Sequence, residues 1–257
     1  METPTGTTAI VRDVPSTFHR AIRPDDSDQP IDVVLARKQH EAYCGALEAT
    51  GLDLLRVEAD DRYPDCLYVE DTALVVGESA FIAPMAALSR RGESVGVEAR
   101  LRETKRVQYL APPATLDGGD VLRIDRHIFV GLSQRTNVHA ADQLRATLRG
   151  EGYEVTSVSV RNILHLKSAC TYLGSGTVVM IPNYLDEQPF AGYQKIPVPV
   201  EEAHGANCLA INGVVLVPAG APETRARIEE IGFVTEEIDI SESRKAGGGL
   251  TCSSIVF

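Results

Sequence analysis

Short runs of β-branched and aliphatic residues recur along the chain, broken by polar or glycine turns. They occupy residues 9–11, 67–69, 73–76, 80–82, 121–124, 127–130, 170–173, 177–181, 209–211, 214–217 and 255–257. Their length and turn chemistry predict strands, most of them paired in hairpins. Between them, four segments place apolar residues at helical spacing. Residues 31–50 end at Gly51, residues 138–148 end at Gly150, and residues 222–231 begin with Pro222 and end at Gly232. Proline inside the start and glycine past the end mark helix limits. Residues 94–103 carry a weaker version of the pattern.

Five unusual turns punctuate this pattern, at Asp71, Asp120, His165, Asn207 and Cys252, spaced 49, 45, 42 and 45 residues apart. A period in the forties is a signature of repeats arranged around an axis. Each unit would hold a strand, a special turn, a hairpin, a helix and a returning strand. Five units fill residues 1–257 as one domain if the C-terminal strand pairs with the N-terminal one, which also removes open sheet edges. The five turns would then meet at one end of a central channel. The plainer alternative is coincidental spacing in an ordinary α/β sandwich. No linker interrupts the chain; the polar, proline-bounded loop 23–30 reads as a cover for a site or as a surface turn.

Composition narrows the function. A 44% hydrophobic, 24% charged chain of 257 residues is ordinary for a soluble globular protein. Its net charge of -11 argues against nucleic acid and against anionic membranes, and is compatible with a cationic small substrate. The five cysteines, Cys44, Cys66, Cys170, Cys208 and Cys252, are odd in number and widely spaced. They read as reduced cytoplasmic thiols, with neither a disulfide frame nor a zinc spacing. Neither a signal peptide nor a membrane span is predicted.

Cys252 follows Gly247–Gly249 and precedes a short strand, where a flexible hinge delivers a thiol to a cleft. A buried small hydrophobe is the plain alternative, and the expected state of the other four cysteines. His165 occupies the equivalent repeat position, at a strand end, and a His near a Cys serves as acid and base. A satisfied core histidine is the competing reading. Asp65, Glu70 and Asp71 crowd one segment, Asp117 and Asp120 another; as turn formers they need no function. Converging from two repeats, they suit a planar guanidinium. Arg90 and Arg135 are candidates for gripping a substrate carboxylate.

These segments resemble the dimethylarginine dimethylaminohydrolase family, guanidino-modifying enzymes with the five-bladed α/β propeller (pentein) fold. The resemblance rests on Asp65 through Asp71, Ser89-Arg90-Arg91-Gly92-Glu93, Thr115-Leu116-Asp117-Gly118-Gly119-Asp120, Arg135-Thr136-Asn137, His165-Leu166-Lys167, Ala206-Asn207-Cys208 and Cys252, in family order. It departs from many relatives at 83–86, Ala-Pro-Met-Ala here. The resemblance implies Cys252 as nucleophile, His165 as proton donor, and Asp71 and Asp117 facing the guanidinium with Glu70 nearby. It implies Asp65, Arg90 and Arg135 at the amino-acid end, backbone contacts at Ile22 and Ala246, and Tyr68 as an aromatic wall. The implied reaction turns a small-molecule methylated arginine into citrulline and an alkylamine, with no metal or organic cofactor. Arginine deiminase, agmatine deiminase and a non-catalytic binder of cationic metabolites remain the alternatives, and homo-oligomerisation is left open.

Overall fold

The computed structural model describes residues 1–24 and 29–257. The expected cover over residues 23–30 therefore lies, for residues 25–28, outside the described residues. Among the described residues, five three-stranded sheets follow one another around an axis. The first contains β1 (Thr8–Arg12), helix α1 (Val33–Ala49), β2 (Asp53–Val57) and the C-terminal strand β15 (Ser254–Val256). The second contains β3 (Ala73–Val76), β4 (Ser79–Ile82), α2 (Ser94–Leu101) and β5 (Arg106–Tyr109). The third is built from β6 (Val121–Ile124), β7 (His127–Leu132), α3 (Val138–Leu148) and β8 (Glu154–Ser159). Helix α4 (Leu166–Ala169) leads into the fourth, made of β9 (Cys170–Gly174), β10 (Thr177–Met180) and β11 (Gln194–Pro197). The fifth has β12 (Leu209–Ile211), β13 (Val214–Pro218), α5 (Pro222–Glu230) and β14 (Val234–Ile238), and helix α6 (Ser241–Lys245) returns the chain to the start.

Every sheet repeats one pairing scheme. Its first two strands are antiparallel, and its third runs parallel to the second. A tight turn suffices for the first pairing, whereas the parallel one needs a crossover, which helices supply in four of the blades. The ring closes where β15 pairs with β1, with Ala9 opposite Val256. This is the five-bladed α/β propeller.

The core lies between blades. Leu74, Val76 and Phe81 pack with Val121, Ile128 and Leu144; Phe129 and Val158 with Val178, Met180 and Phe190; Leu173 and Val179 with Val215 and Ile228. Val11, Tyr43 and Leu47 meet Ile211 and Leu216, and Ile10 and Ile255 meet Val75 and Ile82. No blade buries its own faces alone, so the ring folds by neighbour-to-neighbour burial.

Five local readings change. Residues 67–69 are no strand: they run into a 3-10 turn over Val69–Thr72, which points Glu70 and Asp71 inward. The helix ending at Leu148 continues as a 3-10 turn over Arg149–Glu151, so the left-handed residue is Gly152 rather than Gly150. The fourth blade has only a 3-10 turn, Gln188–Phe190, where the others have a helix. His165 stands at the head of one-turn α4, not at a strand end. The 247–249 glycines are less a hinge than a close-packing device: only Gly247 is left-handed (φ 74°), and a Cβ on Gly248 would lie 2.4 Å from the Tyr68 ring.

Candidate active site

The five special turns precede the first strand of each blade, and hydrogen bonds tie them into a circuit. Gly119 N–H donates to Asp71 Oδ1 at 3.1 Å, and Leu166 N–H to Asp120 Oδ1 at 2.9 Å. Asn207 Nδ2 donates to Lys167 O at 2.9 Å, and Thr251 N–H to Asn207 Oδ1 at 2.9 Å. Thr251 Oγ1 closes the ring by donating to Glu70 Oε2 at 2.8 Å. Buried polar groups demand such partners, and here each partner belongs to the next blade.

On one side of this circuit lies a pocket of 40 Å³. Nine of the sequence candidates line it: Cys252, His165, Asp71, Asp65, Tyr68, Arg90, Arg135, Ile22 and Ala246. Asp117, fully buried, stands just behind, with Oδ2 3.2 Å from His165 Nε2. Glu70 is the exception. The Lys167 ammonium takes its Oε1 at 2.5 Å and Thr251 its other oxygen, so Glu70 lines a 190 Å³ cavity on the far side of the circuit. It reaches the pocket only through its charge.

Alternating charges hold the pocket wall. Glu93 grips Arg90 through Nε at 3.1 Å and Nη2 at 2.8 Å; Arg90 Nη1 meets Asp71 Oδ2 at 2.7 Å. His165 Nδ1 is 3.8 Å from Asp71 Oδ1, and Arg135 Nη1 is 3.6 Å from Asp117 Oδ2. Arg90, expected to hold a substrate's carboxylate, thus has most of its hydrogens committed: Nη2 also faces the Tyr68 carbonyl at 3.3 Å. Arg135 is freer, and its Nη1 has no hydrogen-bond partner. Asp117 Oδ1 is likewise buried without a donor. An orphaned carboxylate oxygen beside an imidazole suits an incoming N–H group.

Burial alone would lower the pKa of His165, but Asp71, Asp117 and Asp120 outweigh it and hold it at about 9. The imidazole is therefore charged at neutral pH, with a proton on both nitrogens: Nε2 donates to Asp117, and Nδ1 faces Asp71. Burial would raise Asp71; His165 and Arg90 reverse that and hold it at about 2. Cys252 alone among the cysteines keeps part of its surface open. Burial, then Glu70 and Asp71, push its thiol up to about 12, while the Gly249 N–H 3.3 Å from Sγ pulls the other way. The ligand atoms of Asp71, Asp117 and His165 lie within 4.8 Å of one another. That is metal-site spacing, but a charged imidazole and two guanidinium neighbours suit a hydrogen-bonding cation better than a bare one.

The contacts that order the pocket rim had no signal in the sequence. Asp65 Oδ1 accepts the Ile22 N–H at 3.0 Å, and Tyr68 Oη donates to the Ser243 carbonyl at 3.0 Å. Leu164, 44% exposed, completes the rim. Glu93 was legible only as part of a motif; its bidentate grip on Arg90 is a three-residue relation inside one turn that spacing could have suggested.

The family model described as N,N dimethylarginine dimethylhydrolase, eukaryotic, matches residues 16–255. A Streptomyces coelicolor protein named N(G),N(G)-dimethylarginine dimethylaminohydrolase is 40% identical over 230 residues, covering 88% of each chain. A Pseudomonas aeruginosa enzyme of that family, solved as a cysteine-to-serine variant complexed with citrulline, superposes with a TM-score of 0.95 at 31% identity, covering 99% of this chain and 100% of that one. A histidine-to-glycine variant of a dimethylarginine dimethylaminohydrolase, solved as an adduct with S-methyl-L-thiocitrulline, gives 0.94 at 31% identity, covering 98% and 100%.

Proposed function

The chain belongs to the dimethylarginine dimethylaminohydrolase family, and on that premise we propose that it hydrolyses Nω-methylated arginines to citrulline and methylamine or dimethylamine. One observation carries the reading: a thiol and an imidazolium share a pocket with the Asp71 carboxylate, and Asp117, just behind against the imidazole, keeps an unpartnered oxygen. A similar enzyme with its cysteine replaced holds citrulline.

Asp71 and Asp117 orient the guanidinium plane from its unmethylated edge. Charge-assisted bonds of this kind contribute about 1.5–3 kcal/mol each. Arg135, with Arg90 behind it, takes the α-carboxylate; Asp65 and the backbone at Ile22 and Ala246 take the amino group, and Tyr68 flanks the stem. Glu70 acts through its field and through Thr251, the residue before the nucleophile.

Cys252 attacks the central carbon as thiolate. A thiol at about 12 is almost wholly protonated at neutral pH. A substrate cation ~4 Å away adds roughly 4 kcal/mol at an effective dielectric of ~20, enough to bring it near 9. His165, held at about 9, is already protonated, so the thiol proton leaves to solvent as the cationic substrate binds. The S–C bond forms, the C–N bond to the alkylamine breaks, and His165 gives its proton to the departing nitrogen. Neutral His165 then takes a proton from water as it attacks the thiouronium carbon. The S–C bond breaks, releasing citrulline and the thiol.

The test incubates the purified protein separately with dimethylarginine, monomethylarginine, arginine and agmatine, and measures citrulline and released amine. Turnover of the methylated pair supports the reading; turnover only of arginine or agmatine replaces it with a deiminase. Cys252→Ser should abolish turnover while still binding citrulline. Retained turnover in that variant refutes the nucleophile assignment.

A further inference from the structure

Asp120 is fully buried, and the roles proposed above leave it unused. Its carboxylate nonetheless collects donors from two blades. Oδ1 accepts the Leu166 N–H at 2.9 Å, and Oδ2 accepts the Ser133 hydroxyl at 2.6 Å, whose oxygen in turn accepts the Thr136 N–H at 3.2 Å. Each donor is one step from a pocket residue. Leu166 N–H is the first amide after His165. Ser133 Oγ, while donating to Asp120, accepts the Arg135 N–H at 3.0 Å. Thr136 Oγ1 accepts the Asp117 N–H at 3.1 Å.

The arrangement has little slack. A Cβ at Gly131 would stand 2.9 Å from Asp120 Oδ1 and 2.7 Å from the Leu166 Cβ. A buried carboxylate is costly unless its lone pairs are met, and here the groups that meet them are the backbone anchors of the acid, of the proposed carboxylate grip and, through Thr136, of a guanidinium-facing Asp. We propose that Asp120 is a positioning residue that fixes His165, Arg135 and Asp117 relative to one another across the β6-β7-β8 and β9-β10-β11 blades. It touches no reacting atom. The inference rests on the methylarginine reading for its kinetic consequences and on the hydrogen bonds for its geometry.

Three proteins test it: the wild type, Asp120→Asn and Ser133→Ala. For each, kcat and KM on dimethylarginine, thermal melting and the NMR titration of His165 are measured. Asp120→Asn keeps the shape and removes the charge; kcat/KM should fall up to ~100-fold, mainly in kcat, and His165 should titrate at lower pH than in the wild type. Ser133→Ala cuts the branch to the Arg135 and Thr136 amides and leaves the Leu166 bond in place; KM should rise about tenfold, the worth of one hydrogen bond, with the His165 titration unmoved. An Asp120→Asn protein that melts like the wild type and keeps its kcat, KM and His165 titration overturns the proposal. Should that variant not fold, Ser133→Ala decides: a rise confined to KM supports the proposal, and an unchanged KM overturns it. A wild type inert on methylarginines sinks the substrate reading instead, and the His165 titration in Asp120→Asn then decides the positioning alone.

Discussion

His165 sits 4% exposed among Asp71, Asp117 and Asp120, which together keep it charged to about pH 9 against the penalty of burial. In the unfolded chain the same imidazole titrates near 6.5. The folded pKa is the higher, so the stabilisation is fully present below about 6.5 and is lost as pH rises through about 9. At about 1.36 kcal/mol per pKa unit, roughly 3 kcal/mol is involved. Urea unfolding of the wild type should therefore weaken between pH 6 and pH 10 by more than that of His165→Asn, in which this contribution is absent. Parallel pH dependences for the two proteins would show that the imidazolium is not held by the carboxylates. The repeat singled out Cys252, His165 and Asp71 by placing them at equivalent turns, and the family resemblance added Asp117. The sequence could not show that Glu70 turns to Lys167, because that choice is made by side chains competing for the same cations in three dimensions.

At the scale of elements, the 3-10 turn Gly118–Asp120 shows how backbone shape serves the pocket. Gly119 gives its N–H to Asp71, and an added Cβ there would lie 2.6 Å from His165 Nδ1 and 2.9 Å from Asp71 Oδ1. Neither side chain can retreat, since Asp71 is tied to Arg90 and His165 to Asp117. Gly119→Ala should lower kcat/KM by roughly 100-fold, with a smaller effect on melting, because the displaced groups are polar rather than core. Activity within twofold of wild type would mean the turn absorbs the methyl group by shifting elsewhere. Hairpin strands were readable because both faces are buried, as in β3, β4 and β10. The third strands β2, β5 and β14 were not, because they carry exposed charges such as Asp53, Arg106 and Glu236. Those charges belong at the outer, unpaired edge of each blade, where they discourage edge-to-edge association. The same chemistry that protects the edge hides the strand.

At the scale of the whole ring, the two faces do different work. The Glu70–Lys167 pair and Thr251 stand between the pocket and the 190 Å³ cavity. Pro4 and Thr5 line that cavity from behind. The N-terminal segment is strapped across this face. Glu2 exchanges hydrogen bonds with Ser175 in the β9–β10 turn, and Thr3, Pro4 and Gly6 bond Asn212 and Gly213 in the β12–β13 turn. The strap thus joins the first blade to the fourth and fifth without approaching Cys252. Closure itself was foreseeable from the repeat period, since an odd strand at each end needs a partner; the strap was not, because a Thr-Pro-Thr-Gly stretch carries no periodic signal. Deleting residues 1–6 removes bonds worth about 1 kcal/mol apiece at most, several of them exposed. Tm should fall by roughly 5–10 °C, while kcat and KM on dimethylarginine stay within about twofold. A large loss of activity at a temperature where the shortened protein is still folded would show that the circuit of turns transmits strain from the back of the propeller to its front.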